Sequence, residues 1–444
     1  MTTSDNVLQG CAPVPLAGYL KALGVFRLVS EQVDPEARGF WRDERFVLRT
    51  RLSEDELVRF FVEAYTPSPI ISPWSGRGGF LEGDGGQPGQ HSSRGGAKLV
   101  RGYESAGERF SSLRDATRAY RSAAIVKELD GLRSEHKALA SAKKARRLDE
   151  TGEARLKQVT AEEKRRKSSA LAALRSEAPG RAIQWVDACW RVGGENVAVP
   201  LLGAGGNDGS RDFGMSFGAA LGELFDFRTG RPKQEADALA RLSLYGRATA
   251  GLKRGNLGQY QPGGGGENAT SGFVGDLPSN PFDMVLLLEG ALLFSGASAR
   301  RLDNNADTRA SLPFTVRALT AGSGAAAASA DSASWAEFWA PLWTRPAPIE
   351  ELKALLREGR SALGTSTVRD GLEFAVAARR LGSERGISEF QRYALLQREP
   401  RNPRKATPLG RVHVRENPRA PLVSELDQGG WLTQVRRSAR DKRS

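Results

Sequence analysis

PLLGAGGNDGSRDFGMSF, residues 200–217, is the stretch around which the rest of the chain is read. Gly203, Gly205, Gly206 and Gly209 give the backbone access to positive φ, and Asn207 and Asp208 can bond their own backbone in such a loop. Arg211 and Asp212 follow as a charged pair. From Phe213 the apolar positions Met215, Phe217, Leu221, Leu224 and Phe225 fall at helical spacing, and Leu201-Leu202 reads as the end of a short buried strand. A polar, glycine-rich loop thus lies between two elements that fix its ends. Two readings stay open: a tight turn packing a helix on a strand, or backbone donors presented to a ligand or nucleic acid. GAGGNDG matches neither a P-loop, which needs a terminal Gly-Lys-Ser/Thr, nor a dinucleotide fingerprint.

Working toward the N-terminus, residues 109–178 change character. Seventeen Lys and Arg from Arg114 to Arg175 face nine acids, with alanine and leucine between them. This predicts a basic helical hairpin spanning 111–178 and projecting from an N-terminal α+β domain (1–110), with Thr151-Gly152 as its turn. Such a composition suits either a solvated helix pair or a phosphate-binding one. Lys143, Lys144, Arg146, Arg147, Lys164, Arg165, Arg166 and Lys167 are its candidate phosphate ligands.

Within 1–110, Pro15 followed by Leu16, Tyr19, Leu20, Leu23 and Phe26 predicts a helix that Gly24 weakens unless something packs closely there. Phe40-Trp41 and Phe46-Val47-Leu48 flank Arg42-Asp43-Glu44 as a hairpin. Ser53 and Glu56 form a capping box for a helix ending before Thr66-Pro67. In SPWSGRGGF (72–80), Trp74, Ser75 and Arg77 sit on a shaped loop suited to bases or backbone. The alternative is that Trp74 and Phe80 anchor the loop in the core.

Toward the C-terminus, residues 179–397 read as a central helix-rich α+β domain. Ile183, Trp185, Val186 and Trp190 lead into a core helix, and 227–280 reads as loop-rich. Asn280-Pro281 starts a buried helix through residue 302, with Glu289 in its apolar middle, either paired or partly exposed. An Ala-Gly-Ser linker at 321–334 precedes three tryptophans at 335–346, then amphipathic helices at 351–360 and 371–382. From 398 to 444, 12 Lys/Arg stand against five acids in a basic, partly extended tail. The fold class is therefore α+β, helix-rich and multi-domain.

Composition narrows the function. The net charge of +13 over 444 residues suits a polyanionic partner. Two cysteines, Cys11 and Cys189, form no disulfide framework or zinc spacing and fit a reducing cytoplasm. No signal peptide opens the chain, and its longest apolar stretch is too short to cross a membrane. His91, in a Gly/Ser loop, His136, on the hairpin, and His413, in the tail, are isolated and read as solvated, so no metal or catalytic cluster is expected. Asp208 and Asp212 are the single pair suited to Mg²⁺, which leaves a metal-dependent nuclease as the enzymatic alternative.

Seven stretches taken together resemble one family. They are LQGCAPVPLAGYLKALGVFRLV (8–29), RGFW (38–41), SPWSGRGGF (72–80), LLGAGGNDGSRDF (201–213), NPFDMVLLLEGALLF (280–294), PLWTRPAPIEELKALLREGRSALG (341–364) and GLEFAVAARRLGSERGISEFQRYALLQR (371–398). In this order they resemble the large subunit of the type I-U (I-G) CRISPR effector complex, Cascade. The resemblance implies a non-enzymatic subunit, without cofactor, in a ribonucleoprotein built on guide RNA and repeated backbone subunits. It implies binding of target double-stranded DNA, recognition of the short protospacer-adjacent motif, duplex opening to an R-loop, and presentation of the displaced strand to a separate helicase-nuclease.

Family members usually continue into a helical region resembling the small subunit. Here the sequence ends at Ser444, so either this is a shorter form or small subunits are separate chains. The family supplies no residue-by-residue motif readers. Trp74, Ser75, Arg77 and Asn207 are candidate readers, and Arg77 and Arg211 candidate nucleic-acid contacts, from loop chemistry alone. A purely structural subunit contacting only RNA and protein is the third reading.

Overall fold

The computed structural model describes residues 3–74, 79–81, 91–189, 201, 213–255, 257, 260–261, 277–294, 299–300, 310–311, 314–316, 337–358, 362–363, 366–367, 386–396 and 405–414. The fold is α+β and helix-rich. Strand β1 (Ser4–Leu8) leads into α1 (Leu16–Gln32), whose first-turn position follows Pro15, as its fixed φ favours. β2 (Arg38–Arg42) and β3 (Arg45–Thr50) form the expected hairpin, turning through Asp43 and Glu44, both at positive φ. α2 (Glu54–Arg59) starts on the Ser53/Glu56 capping box and runs into a wide helical turn, Phe60–Ala64.

Helices α3 (His91–Glu104), α4 (Ser111–Ser122), α5 (Ala124–Lys144), α6 (Glu150–Glu177), α7 (Ala182–Cys189), α8 (Phe213–Leu224) and α9 (Ala236–Tyr245) follow. A short ladder of β4 (Lys253–Gly255) with β5 (Leu277–Ser279) precedes α10 (Pro281–Ala291). β6 (Ala299–Arg300) and β7 (Ala310–Ser311) pair together, followed by β8 (Thr315–Val316), β9 (Glu337–Leu342) and β10 (Ala347–Pro348). The last described elements are α11 (Ile349–Glu358), the β11–β12 ladder (Ala362–Leu363 with Ser366–Thr367), β13 (Glu389–Leu396) and β14 (Lys405–His413).

Two four-stranded sheets, ordered β1-β3-β2-β10 and β14-β13-β9-β8, hold α1 between them. Tyr19 of α1 stacks on Trp41 of the first sheet at 5.5 Å and meets Phe338 of the second edge-on at 6.4 Å. α1 also crosses α10 at backbone contact. A Cβ at Gly24 would lie 1.9 Å from the Leu286 carbonyl oxygen, and one at Gly290 1.9 Å from that of Leu20. Of the two alternatives at Gly24, a weakened helix or a closely packed neighbour, the second holds.

The same helix pair carries a buried charge. Glu289 is fully buried, so the paired alternative holds. Its carboxylate meets Arg27 Nη1 at 2.8 Å and accepts from Tyr65 Oη at 2.7 Å and Ser68 N at 2.8 Å. Arg27 further donates to Ser68 Oγ and to Gln184 of α7.

Four expectations need correcting. The α10 helix ends at Ala291, and Leu292–Phe294 tightens into a 3₁₀ turn, so it does not reach 302. The loop-rich 227–280 contains α9, whose buried Ala236, Leu239, Ala240 and Leu244 carry helical spacing. His91 begins α3 and does not sit in a loop. Leu201 is buried in a turn, and Tyr260 donates to its carbonyl. The linker at 321–334, the helix at 371–382, and residues 415–444 lie outside the described residues; within the basic tail, β14 pairs with β13.

Candidate nucleic-acid interface

α5 and α6 pack as an antiparallel pair, shown by cross-links whose positions rise on one helix as they fall on the other. Glu128 meets Arg166 at 2.7 Å, Arg133 meets Glu163 at 3.2 Å, and Lys143 meets Glu153 at 3.1 Å. The root is apolar: Ile125, Val126 and Leu129 of α5, with Ala170 and Leu174 of α6, are buried. Midway, Val159 and the Glu163 side chain are buried.

Glu163 gathers Arg133, Lys167 and His136, the last through Nδ1 at 2.6 Å. Burial pushes its carboxyl up, but hydrogen bonds from Lys167 and His136 and the charges of Lys167 and Arg133 outweigh burial and hold it below the usual range. His136 is therefore an interhelical partner, contrary to its solvated reading. His413 meets Glu389 at 2.9 Å with its side chain largely exposed.

The turn lies at 145–149, ahead of its expected place at Thr151-Gly152. Asp149 caps α6 by accepting from Gly152 N at 2.8 Å, which draws Thr151 and Gly152 into the first helical turn. α5 closes in a Schellman motif. Arg146 N bonds Lys143 O and Arg147 N bonds Ala142 O, both at 2.9 Å. Arg146 holds the left-handed position, at φ 55°. That position normally falls to glycine, because a Cβ there costs roughly 1–2 kcal/mol.

The candidate cations divide into two groups. Arg165 meets Glu162 at 2.6 Å, Arg166 bonds both Glu128 and Glu162, and Lys167 bonds Glu163. Lys164 is exposed and has a partner, and Lys143 shares Glu153 while remaining half-exposed. Lys144, Arg146 and Arg147 are exposed, and their side chains have no hydrogen-bond or ion-pair partner among the described residues. The turn therefore gathers cations that no carboxylate bonds among the described residues, with the exposed Asp149 and Glu150 beside them, and the α6 face is largely internally paired.

The glycine loops are described at their edges. Ser72 Oγ accepts from Trp185 Nε1 at 3.2 Å, Trp74 is half-buried against the core, and Phe80 and Leu81 are buried. Gly79, at φ 82°, abuts the backbone of Gly96 and Ala97, where no side chain fits. Ser75, Arg77, Asn207, Asp208, Arg211 and Asp212 lie outside the described residues. α8 begins at Phe213 with Phe217, Leu221 and Leu224 buried, as the spacing predicts.

Burial pushes the Cys11 thiol up to about 12, which keeps it protonated and unreactive near neutrality. Among the described residues, no three or more His, Cys, Asp or Glu are grouped to hold a metal. No helix among them is long and apolar enough to cross a membrane. No protein-family model matches the chain. No curated protein matches it either.

Proposed function

We propose that this chain is a nucleic-acid-binding large subunit of an RNA-guided CRISPR surveillance complex. It binds target duplex DNA in the cytoplasm, reads the flanking motif, promotes R-loop formation and supports recruitment of a helicase-nuclease acting in trans. The observation that carries the binding part is the cluster of Lys144, Arg146 and Arg147 at the α5–α6 turn. These cations have no acid to satisfy among the described residues. Exposed cations of this kind displace counterions from a phosphate backbone, giving salt-dependent affinity with little sequence preference. The chain-wide charge of +13 and the family resemblance support the same reading.

The division between turn and flank makes this testable on the full chain by fluorescence anisotropy with a labelled DNA duplex. Lys144→Ala/Arg146→Ala/Arg147→Ala should weaken binding at least about tenfold and reduce the slope of log affinity against log salt by roughly 2–3. Arg165→Ala/Arg166→Ala/Lys167→Ala should change affinity less, because its cations already have carboxylate partners. Unchanged affinity and slope in the turn variant would sink the proposal.

A further inference from the structure

The α5–α6 hairpin is not held evenly along its length. Its root closes around Ile125, Val126, Leu129, Ala170 and Leu174, all buried. Of residues 131–167, all of them described, Val159 and Glu163 alone are buried. Toward the turn, Glu135 meets Arg155 at 2.6 Å and Lys143 meets Glu153 at 3.1 Å, with these four side chains 38–51 % exposed. Ion pairs this open to water contribute little to holding two helices together. The same stretch carries twelve Lys and Arg against six Asp and Glu, so its own charge works against closure.

Gly131 stands where the apolar root ends. It lies exposed inside α5, and a Cβ added to it would meet nothing within 4 Å. Gly24 and Gly290 are glycines because a backbone crosses them. At Gly131 neither a crossing backbone nor a positive φ asks for one. What glycine does at this position is lower the helical stability of α5. The segment beyond it, from Leu132 to Lys144, has the length at which an isolated helix is marginal in water.

We propose that the hairpin beyond Gly131 is a locally unfolding arm, which opens independently of its root and is ordered by duplex DNA at its turn. This rests on the reading of Lys144, Arg146 and Arg147 as phosphate ligands, and adds how their contact is controlled. The closed turn holds these three cations in one fixed geometry, and an open arm disperses them. Phosphates therefore favour the closed arm by their difference in affinity for the two states. Affinity then follows the closed fraction, so a change that stabilises α5 without touching DNA tightens binding. A rigid helix pair has no such link.

Amide hydrogen exchange on the full chain, with and without a DNA duplex, tests this beside fluorescence anisotropy. In the free chain, amides of 138–156 should exchange at least about a hundredfold faster than those of 126–130 and 170–176. Duplex should slow the first set at least about tenfold and leave the second unchanged. Gly131→Ala should slow exchange at 132–144 and tighten duplex binding about two- to fivefold. Ala140→Gly, at an exposed position of the same helix, should move both the other way. Free-chain exchange at 138–156 as slow as at the root would overturn the inference. So would bound duplex that leaves this exchange unchanged, or variants that shift exchange at fixed affinity; each of these leaves duplex binding itself intact. A wild-type chain that binds no duplex would overturn the proposed function and the inference together.

Discussion

Arg27 and Arg146 both belong to packed helix pairs, and their surroundings differ in every respect. Arg27 is buried where α1 crosses α10, and it bonds Glu289, Ser68 and Gln184. Arg146 is exposed at the end of α5, in a strained backbone position, with no side-chain partner among the described residues. A charge removed from water must be matched inside the protein. A charge left in water without a partner contributes little to folding and remains free for another molecule. The first pair therefore uses its charge to define one packing arrangement, and the second presents its charge outward.

The strongest way to break this contrast is Glu289→Ala. It removes the fully buried carboxylate facing Arg27, leaving Glu31 at 3.3 Å as its remaining acid, and strands Tyr65 Oη and Ser68 N, so unfolding free energy should fall by about 3–5 kcal/mol. Chemical denaturation measures it. A loss below about 1 kcal/mol would mean that water reaches Arg27 and that the two regions differ less than their geometry implies.

Glu163 lies between these extremes, since its carboxylate is buried but Arg133, His136 and Lys167 remain partly exposed. Glu163→Ala should cost about 2 kcal/mol, with the remaining cations able to turn to water. Its carboxyl is held below the ordinary 4.5. The stabilisation is therefore complete above the unfolded value and disappears as pH falls through the lower folded value. Between neutrality and pH 3, the wild-type chain should lose more stability than Glu163→Ala. Parallel pH profiles would show that Glu163 does not hold the pair together.

Local signals made much of the interior legible. Pro15, the Ser53/Glu56 capping box, the 40–48 hairpin and the Gly24 contact each rest on chemistry within a few residues, or on one property of glycine. What escaped depends on distant partners. His136 has no neighbour in sequence that announces Glu163, and the acids that neutralise Arg165 to Lys167 come partly from the opposite helix. The α5–α6 turn escaped because an arginine holds the place that glycine usually marks. At the candidate interface the sequence supplied the cations, and long-range pairing decided which remained available.

Arg146→Gly sharpens the comparison with the smallest change in stability. Glycine adopts φ 55° without the Cβ penalty, so the Schellman closure of α5 should be retained and the fold should gain up to about 1 kcal/mol. If the residue serves only to end the helix, the substitution improves it in every measurable way. If its guanidinium meets phosphate, the stabilised variant should bind duplex DNA several-fold more weakly, with a salt slope reduced by about 0.9. Arg146→Lys separates backbone from charge, because it keeps both the positive charge and the strain; it should bind nearly as the parent does and show no gain in stability. Opposite movements of stability and affinity in the glycine variant would identify the strain as a cost tolerated for binding. A gain in stability with unchanged affinity would remove Arg146 from the interface and leave Lys144 and Arg147 to carry it.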